Sequence, residues 1–502
     1  MNKFYITTAI SYVNAPPHIG HALEFVQADV LARYHRVKND DTYFLTGADE
    51  HGVKVFETAE KAGIETQKFV DMNAEKYQNL KGLLDLSYDD FIRTSSDRHK
   101  AGAKKLWMKM VEKGDIYKGS YKGNYCVGCE SFIPDNNLTE EGFCPIHKTK
   151  PKELEEENYF FKLSKYSDQI REMIEKDEYK IVPETRKNEM LNIIGEYGLQ
   201  DVSFSRPKDV LPWGIEVPND DSQVMYVWGD ALANYITAVD YENEGDLYKK
   251  YWPADVHLIG KDILRFHAGI WPGMLLSAGV PLPKSLYVHG FITSEGHKMS
   301  KTIGNVVDPL EYIEKYGADA VRWFLMREIP TTDDGDFSHQ RFVDVHNSEL
   351  ANGLGNLVNR VVMMTERYLE GKVPDGCEFS LEDEKNKMFD KYDKAFEGFD
   401  LKKACDVVTE MVDLGNKYID DKKPWAMAKE GADGVDQVLY DLICLLRYLA
   451  MLIYPILPWT AKKILDQISI ELSNDYKWSG VKPGALVAKG DLLFQRIEED
   501  KV

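Results

Sequence analysis

The chain has little of what would tie it to a membrane, an oxidising compartment or a polyanion in bulk. No apolar run approaches the roughly 20 residues that a membrane helix needs, which speaks against a membrane partner. The N-terminus enters a strand-like run at once (Phe4-Tyr5-Ile6-Thr7-Thr8), leaving no room for a basic, apolar signal or an Arg-rich transit peptide. A cytoplasmic protein is expected. Basic residues are outnumbered, 62 Lys+Arg against 83 Asp+Glu, a formal charge of −21. That balance argues against indiscriminate nucleic-acid binding, so any RNA contact must use local basic patches and shape. Cysteine is scarce, six in 502 residues. Three of them, Cys377, Cys405 and Cys444, are scattered through helical sequence and read as small buried hydrophobes. A disulfide framework is not expected. No internal repeat or low-complexity tract is present.

What remains is ordinary globular material of about three domains. The first stretch alternates strand and helix: Lys3 to Ile10 reads as a strand, and His21 to Val37 carries apolar residues at helical spacing. Tyr43-Phe44-Leu45 is a short strand, and another helix surrounds Leu106 to Val111. This is the opening of a doubly wound α/β domain with a parallel sheet, taken here as residues 1–116. Residues 117–218 change texture and read as an insertion. Residues 219–292 resume the α/β pattern, with strands at Val256 to Ile259 and Leu286 to Val288 and a helix at Ile263 to Leu276. Residues 293–343 form a linking region. Residues 344–502 are almost wholly helical, with periodic segments at Leu350 to Leu369, Leu401 to Tyr418 and Val438 to Met451. Leu493 to Ile497 reads as a last extended segment returning to the body.

Two short motifs carry chemistry. Pro17-His18-Ile19-Gly20-His21 lies between a strand end and a helix start, where open α/β sheets bind ligands. A helix N-terminus offers unpaired N–H groups and partial positive charge, both suited to phosphate. Two imidazoles add donors there, and Gly20 permits close approach of a ring. On these residues alone, surface histidines or a pair of metal ligands are equally good readings. Far downstream, Lys298-Met299-Ser300-Lys301-Thr302 follows a strand and the turn-rich Thr293 to His297. Two lysines on such a loop can close over a triphosphate and neutralise charge on departing pyrophosphate; the bland alternative is a solvated basic loop. Gly260-Lys261-Asp262 and His289-Gly290 also follow strands, and are weak signals alone.

A third pattern lies in the insertion. Cys126-Val127-Gly128-Cys129 and Cys144-Pro145-Ile146-His147 supply two ligand pairs at two-residue gaps. Two such pairs complete a tetrahedron, and three thiolates with one imidazole favour one structural zinc per chain. An iron–sulfur centre or a redox pair are the alternatives.

The two tetrads, in this order and context, resemble the paired signature of class I aminoacyl-tRNA synthetases, with Thr302 in place of the usual serine. The likeness covers nearly the whole chain, and the residues at the strand ends are similar to those of the methionyl-tRNA synthetases. It implies a Rossmann-like catalytic domain, an inserted zinc-binding connective domain and an all-α anticodon-binding domain. It implies that His18, His21, Lys298 and Lys301 serve catalysis on MgATP, with Gly20, Gly260, Asp262, His289 and Gly290 completing the ATP site. It implies a methionine site of Ala9, Ile10, Tyr12, Asp49, Trp228, Ala231, Leu232, Tyr235, Ile263, Phe266, His267 and Trp271.

The chemistry suits that assignment. Aromatic walls favour a thioether, Tyr12 and His267 can place a polar group near the sulfur, and Asp49 can pair with the substrate ammonium. Leu232 departs from the proline of bacterial relatives. Asn356 and Arg360, four apart and so on one helix face, together with Trp425, are implied to read the anticodon, as single-stranded RNA recognition requires. The expected partners are L-methionine, ATP and tRNA(Met), including the initiator, and the expected state is a monomer. The alternatives are a class I ligase for another apolar amino acid, or a non-catalytic synthetase-like RNA-binding protein.

Overall fold

The computed structural model describes residues 2–126, 131–133, 138–139, 141–145, 148–299, 305–472 and 479–498. Its centre is a seven-stranded, all-parallel sheet. The strands are β1 (Lys3–Thr8), β2 (Ser11–Tyr12), β3 (Asp41–Asp49), β4 (Asp90–Arg93), β5 (Lys180–Val182), β6 (Val256–Gly260) and β7 (Ser285–His289). The order is β2-β3-β1-β6-β7-β5, with β4 paired to β3. Parallel neighbours need crossovers, and the alternating strand and helix patterns supply them.

β2 continues β1 after a break. Thr7 pairs with Leu45 and Ser11 with Ala48, so four residues on one strand oppose three on the other. The extra residue is a bulge at Ala9–Ile10, and a bulge re-aims side chains at a sheet end.

Helix α1 (Ile19–Val37) follows the break, and α2 (Asp97–Glu112) follows β4. The long antiparallel pair Ile116–Cys126 and Lys152–Phe161 then projects as an insertion. The insertion does not run to 218 as a separate body, however. β5 returns to the main sheet through Leu286↔Ile181, and Phe161, Ile170, Ile181, Met190 and Phe204 share a core with Tyr5, Trp107 and Trp271. Apolar residues on these segments required a partner, and the catalytic sheet provides it. Helix α3 (Glu184–Tyr197) follows β5.

Two short helices come next, α4 (Val227–Ala231) and α5 (Asn234–Thr237). The helix expected from Ile263 to Leu276 is three pieces: a 3-10 turn at Lys261–Ile263, a π-turn at Phe266–Ile270, and α6 (Trp271–Ala278) with Pro272 in its first turn, where a missing N–H is tolerated. A small sheet joins Ile292–Ser294, His297–Lys298 and Gly335–Phe337, and Phe324 of α7 (Ala318–Arg327) packs against its Phe337, ring centroids 5.1 Å apart.

The C-terminal part is helical: a π-segment at His346–Gly355, then α8 (Asn356–Leu369), α9 (Leu401–Lys422), α10 (Pro424–Glu430), α11 (Val435–Ile453) and α12 (Pro458–Gln467). Leu493 to Ile497 returns to the body as irregular chain rather than strand, where Asn347 exchanges two hydrogen bonds with Ile497, at 2.9 and 2.8 Å.

Candidate active site

At the carboxyl ends of β1, β3, β6 and β7 lies a cavity of about 690 Å3, within the size range of small-molecule and cofactor sites. One end is built by the start of α1. His18 is its N-cap: the His18 Nδ1 accepts from the Gly20 N–H (3.1 Å), and the His21 Nδ1 accepts from the His18 N–H (3.1 Å). Backbone N–H groups only donate, so both Nδ1 atoms carry lone pairs and both rings hold their proton on Nε2. The helix start therefore carries imidazole N–H donors beyond its own N–H groups, and the His21 Nε2–H meets the Tyr77 hydroxyl at 3.4 Å. Burial first, then His18 and His289, hold the His21 pKa well below its ordinary value, so this ring is a neutral donor. A Cβ on Gly20 would stand 2.9 Å from the His18 ring; the glycine is required by the cap itself.

His289 and Gly290 close the same end. His289 Nε2 meets Glu24 at 3.2 Å, and its Nδ1 meets the Gly290 carbonyl at 2.7 Å. Burial raises the Glu24 pKa, and for His289 the Glu24 contact outweighs burial and raises it too, so the pair retains a shared proton. Any Cβ on Gly290 would meet the Asp333 backbone at 2.2 Å. Gly260 and Asp262 line the wall between.

The opposite end is apolar. Ala9 and Ile10 reach it from the bulge, and Tyr12, Asp49, Trp228, Ala231, Leu232, Tyr235, Ile263, Phe266 and His267 complete it. Trp228 stacks on Phe266 with centroids 3.9 Å apart and planes 7° from parallel. Asp49, buried at the end of β3, is the carboxylate of this end. His267 Nδ1 faces the Ile263 carbonyl at 3.1 Å, which can only accept; its Nε2 therefore accepts from the Tyr235 hydroxyl at 2.7 Å. Burial lowers the His267 pKa to about 4, keeping it neutral. A hydrogen-bonded Tyr235–His267 pair thus stands at this wall, which Tyr12 also lines. Leu232 is buried, and its N–H donates to the Trp228 carbonyl (3.3 Å), a bond proline could not make.

One expected wall residue is elsewhere. Trp271 does not line the cavity; it is fully buried behind Tyr235, and its Nε1–H donates to His257 at 3.3 Å. The π-turn at Phe266–Ile270 changes the angular spacing, so Trp271 does not share the face of Phe266 and His267. Residues not anticipated also line the cavity: Glu24, Asn234, Arg186 and Met299. Glu24, an acid one turn after His21 on a buried helix face, was the discoverable one. Lys298 lies on a strand beside the cavity, and Lys301 lies outside the described residues.

Away from the cavity, Cys126 and Cys144 meet in one small buried cluster with Ile133, while Cys129 and His147 lie outside the described residues. On α8, Asn356 is exposed and Arg360 pairs with Asp420 (2.6 Å) and Asn416 (3.2 Å) of α9. α10 packs against α8 and leaves Trp425 42% exposed.

Comparison with known proteins decides the family. The model described as tRNA synthetases class I (M) matches residues 4–151 and 140–362, and the anticodon binding domain of methionyl tRNA ligase matches residues 370–502. A methionine–tRNA ligase of Thermotoga maritima is 42% identical over 99% of this chain and 80% of its own length. The chain belongs to the methionyl-tRNA synthetases. A Rickettsia felis relative is 40% identical with complete coverage of both chains. The Mycobacterium tuberculosis methionyl-tRNA synthetase in complex with methionyl-adenylate superimposes with a TM-score of 0.93 at 37% identity, covering 99% of this chain and 100% of that one. This synthetase is thus an enzyme, a methionine–tRNA ligase with a Rossmann-like catalytic sheet and a helical C-terminal domain. No helix among its described residues is long and apolar enough to cross a membrane.

Proposed function

We propose that the two ends of the cavity are the two substrate sites of one activation step. L-Methionine takes the apolar end, with its ammonium on Asp49 and its thioether against the Trp228–Phe266 stack. ATP takes the α1 end, with its phosphates toward the Nε2–H groups of His18 and His21 and its adenosine among Gly20, Gly260, Asp262, His289 and Gly290. The methionine carboxylate attacks the α-phosphorus; a new O–P bond forms and the bond to pyrophosphate breaks. Lys298 and Lys301 take up the charge on the departing pyrophosphate, and magnesium enters with ATP. A ribose hydroxyl of the terminal adenosine of tRNA(Met) then attacks the methionyl carbonyl and AMP leaves. Alignment and fixed donors do the work, without a covalent enzyme intermediate.

The observation that carries this reading is a single cavity with neutral imidazole donors at a helix start and a buried carboxylate beside an aromatic stack. The methionyl-adenylate held by the mycobacterial relative supports it. Pyrophosphate exchange measured with each amino acid tests it. Methionine should drive exchange best; exchange driven better by leucine, or none, refutes it.

Three further roles belong to this reading. Asn356, Arg360 and Trp425 would read the anticodon; Arg360 would exchange an exposed ion pair for a base, a small cost. The tRNA partners would include the initiator, and the enzyme would act as a cytoplasmic monomer. Cys126, Cys129, Cys144 and His147 would hold one zinc, and the burial of two of these thiols in one cluster fits a closed structural site. Zinc there braces the insertion. Bound metal should approach one per chain, and a metal-free preparation that stays folded and active would refute the site.

A further inference from the structure

Behind the methionine end stands a buried polar cluster that the reaction does not use. Asp230 Oδ2 meets His51 Nδ1 at 2.6 Å, and Asp230 Oδ1 meets His99 Nε2 at 2.7 Å. All three side chains are at most 3% exposed. His99 Nδ1 continues to the Thr237 hydroxyl at 2.9 Å. None of the four lines the cavity.

Their places in the chain give the cluster its meaning. His51 is two residues beyond Asp49, at the end of β3. Asp230 is two residues beyond Trp228, on α4. Thr237 ends α5, which carries Asn234 and Tyr235. His99 lies on α2 and touches neither substrate end. The cluster therefore ties the segment bearing the ammonium carboxylate to both short helices that bear the cavity wall. The segment is braced again next door: the Trp213 indole donates to the Glu50 carbonyl at 2.6 Å, and the Ser95 N–H donates to the Glu50 carboxylate at 3.3 Å.

We propose that Asp230, clasped by His51 and His99, is a positioning residue that sets the Trp228–Ala231–Tyr235 wall against Asp49 and so fixes the methionine subsite. A carboxylate buried between two imidazoles is a poor choice for stability alone, since apolar packing of equal volume serves as well; its use is to allow one arrangement. The desolvation penalty on Asp230 is outweighed by His51 and His99, and its carboxyl is held down at about 2. α4 is a short helix of five residues, with little internal cooperativity of its own to define its orientation.

The proposal rests on methionine occupying the Asp49 end. It is tested by pyrophosphate exchange with methionine titrated at saturating ATP, and ATP at saturating methionine. His51→Ala should raise the methionine KM about tenfold or more, as misplacement near 1 Å does, and leave the ATP KM within about twofold. His51→Asn, whose amide reaches the Nδ1 position and can still donate to Asp230, should recover most of the loss. If His51→Ala fails to fold, Asp230→Asn carries the same comparison and should show the same split. An unchanged methionine KM, equal rises in both KM values, or an Asn variant no better than Ala overturns the proposal. Asp49→Asn separates the two claims: if it leaves the methionine KM unchanged, the placement of methionine is wrong, whereas a large Asp49 effect with a silent His51→Ala defeats the clasp alone.

Discussion

His21 does two things with two nitrogens, and substitution can part them. Its Nδ1 accepts from the His18 N–H at 3.1 Å and so completes the cap of α1. Its Nε2 holds the proton that the proposed mechanism aims at phosphate. His21→Asn keeps an acceptor near the Nδ1 position and removes the distal donor. His21→Gln keeps a donor near Nε2 and removes the capping acceptor. Loss of one preorganised donor to developing charge costs about 2.7–4 kcal/mol, or about 10²–10³ in rate. Loss of a capping contact costs about 1 kcal/mol of stability. His21→Asn should therefore lower the exchange kcat by two to three orders of magnitude, about 10²–10³-fold, with little change in urea midpoint. His21→Gln should lower the midpoint and keep most of the rate. Exchange kinetics and urea melts on both variants read the two effects separately. An Asn variant within about threefold of the parent kcat would refute the donor role, because no preorganised donor of this kind is worth so little.

The aromatic residues and the buried histidines give two more expectations. Trp228→Ala should raise the methionine KM about tenfold or more through loss of the Phe266 stack, whereas Trp271→Phe, which removes the hydrogen bond to His257 and shrinks a buried ring packed against Tyr235 and Trp252, should lower stability by about 1–3 kcal/mol and leave that KM unchanged; a methionine KM that rises in Trp271→Phe would return Trp271 to the cavity wall. Burial lowers the His267 pKa from 6.5 to about 4. The unfolded chain then binds a proton that the folded chain refuses, so stability is intact above pH 6.5 and falls as the pH drops from there toward 4, by roughly 3 kcal/mol from this residue. His21 and His257, lowered in the same sense by burial, act in the same window. Urea melts between pH 7.5 and 4.5 should show a steady fall, and a flat profile would show these rings to be charged when folded.

Most of this site was legible because its residues sit at strand ends, and strand ends can be read from alternation. His18, His21, Asp49, Gly260 and His289 each follow a short apolar run. What escaped depended on geometry that alternation does not record. Trp271 was displaced from the wall by a π-turn, which leaves no mark in the apolar pattern. The boundary at residue 218 misled because β5 is three residues long, too short for a period, and finds its place through its neighbour β7. The His51–Asp230–His99 clasp joins residues up to 179 positions apart, and each alone reads as a satisfied core group.

The same limit applies to the expected boundary at residue 344. One hydrophobic core runs from Phe4 and α1 through α7 into α9, α11 and α12. Arg322 of α7 is fully buried at its centre. Its guanidinium donates to the carbonyls of Leu84 (3.0 Å), Pro455 (2.9 Å) and Ile456 (2.7 Å) and pairs with Asp29 of α1 at 2.8 Å. Asp29 also holds Arg33 and the Ser87 N–H and hydroxyl, which outweighs the cost of burial and keeps its carboxyl at about 2. The helix that presents His18 and His21 to the cavity is therefore anchored, about three turns on, through Arg322 to the turn between α11 and α12. A shift of those helices cannot leave α1 where it is without breaking charge-assisted bonds in a dry core, and such bonds are costly to break one at a time. The α1 end of the cavity and the helical C-terminal part therefore share one core, whereas Trp228, Phe266 and His267 at the opposite end stand on or beside the second core, with Tyr5, Trp107 and Trp271.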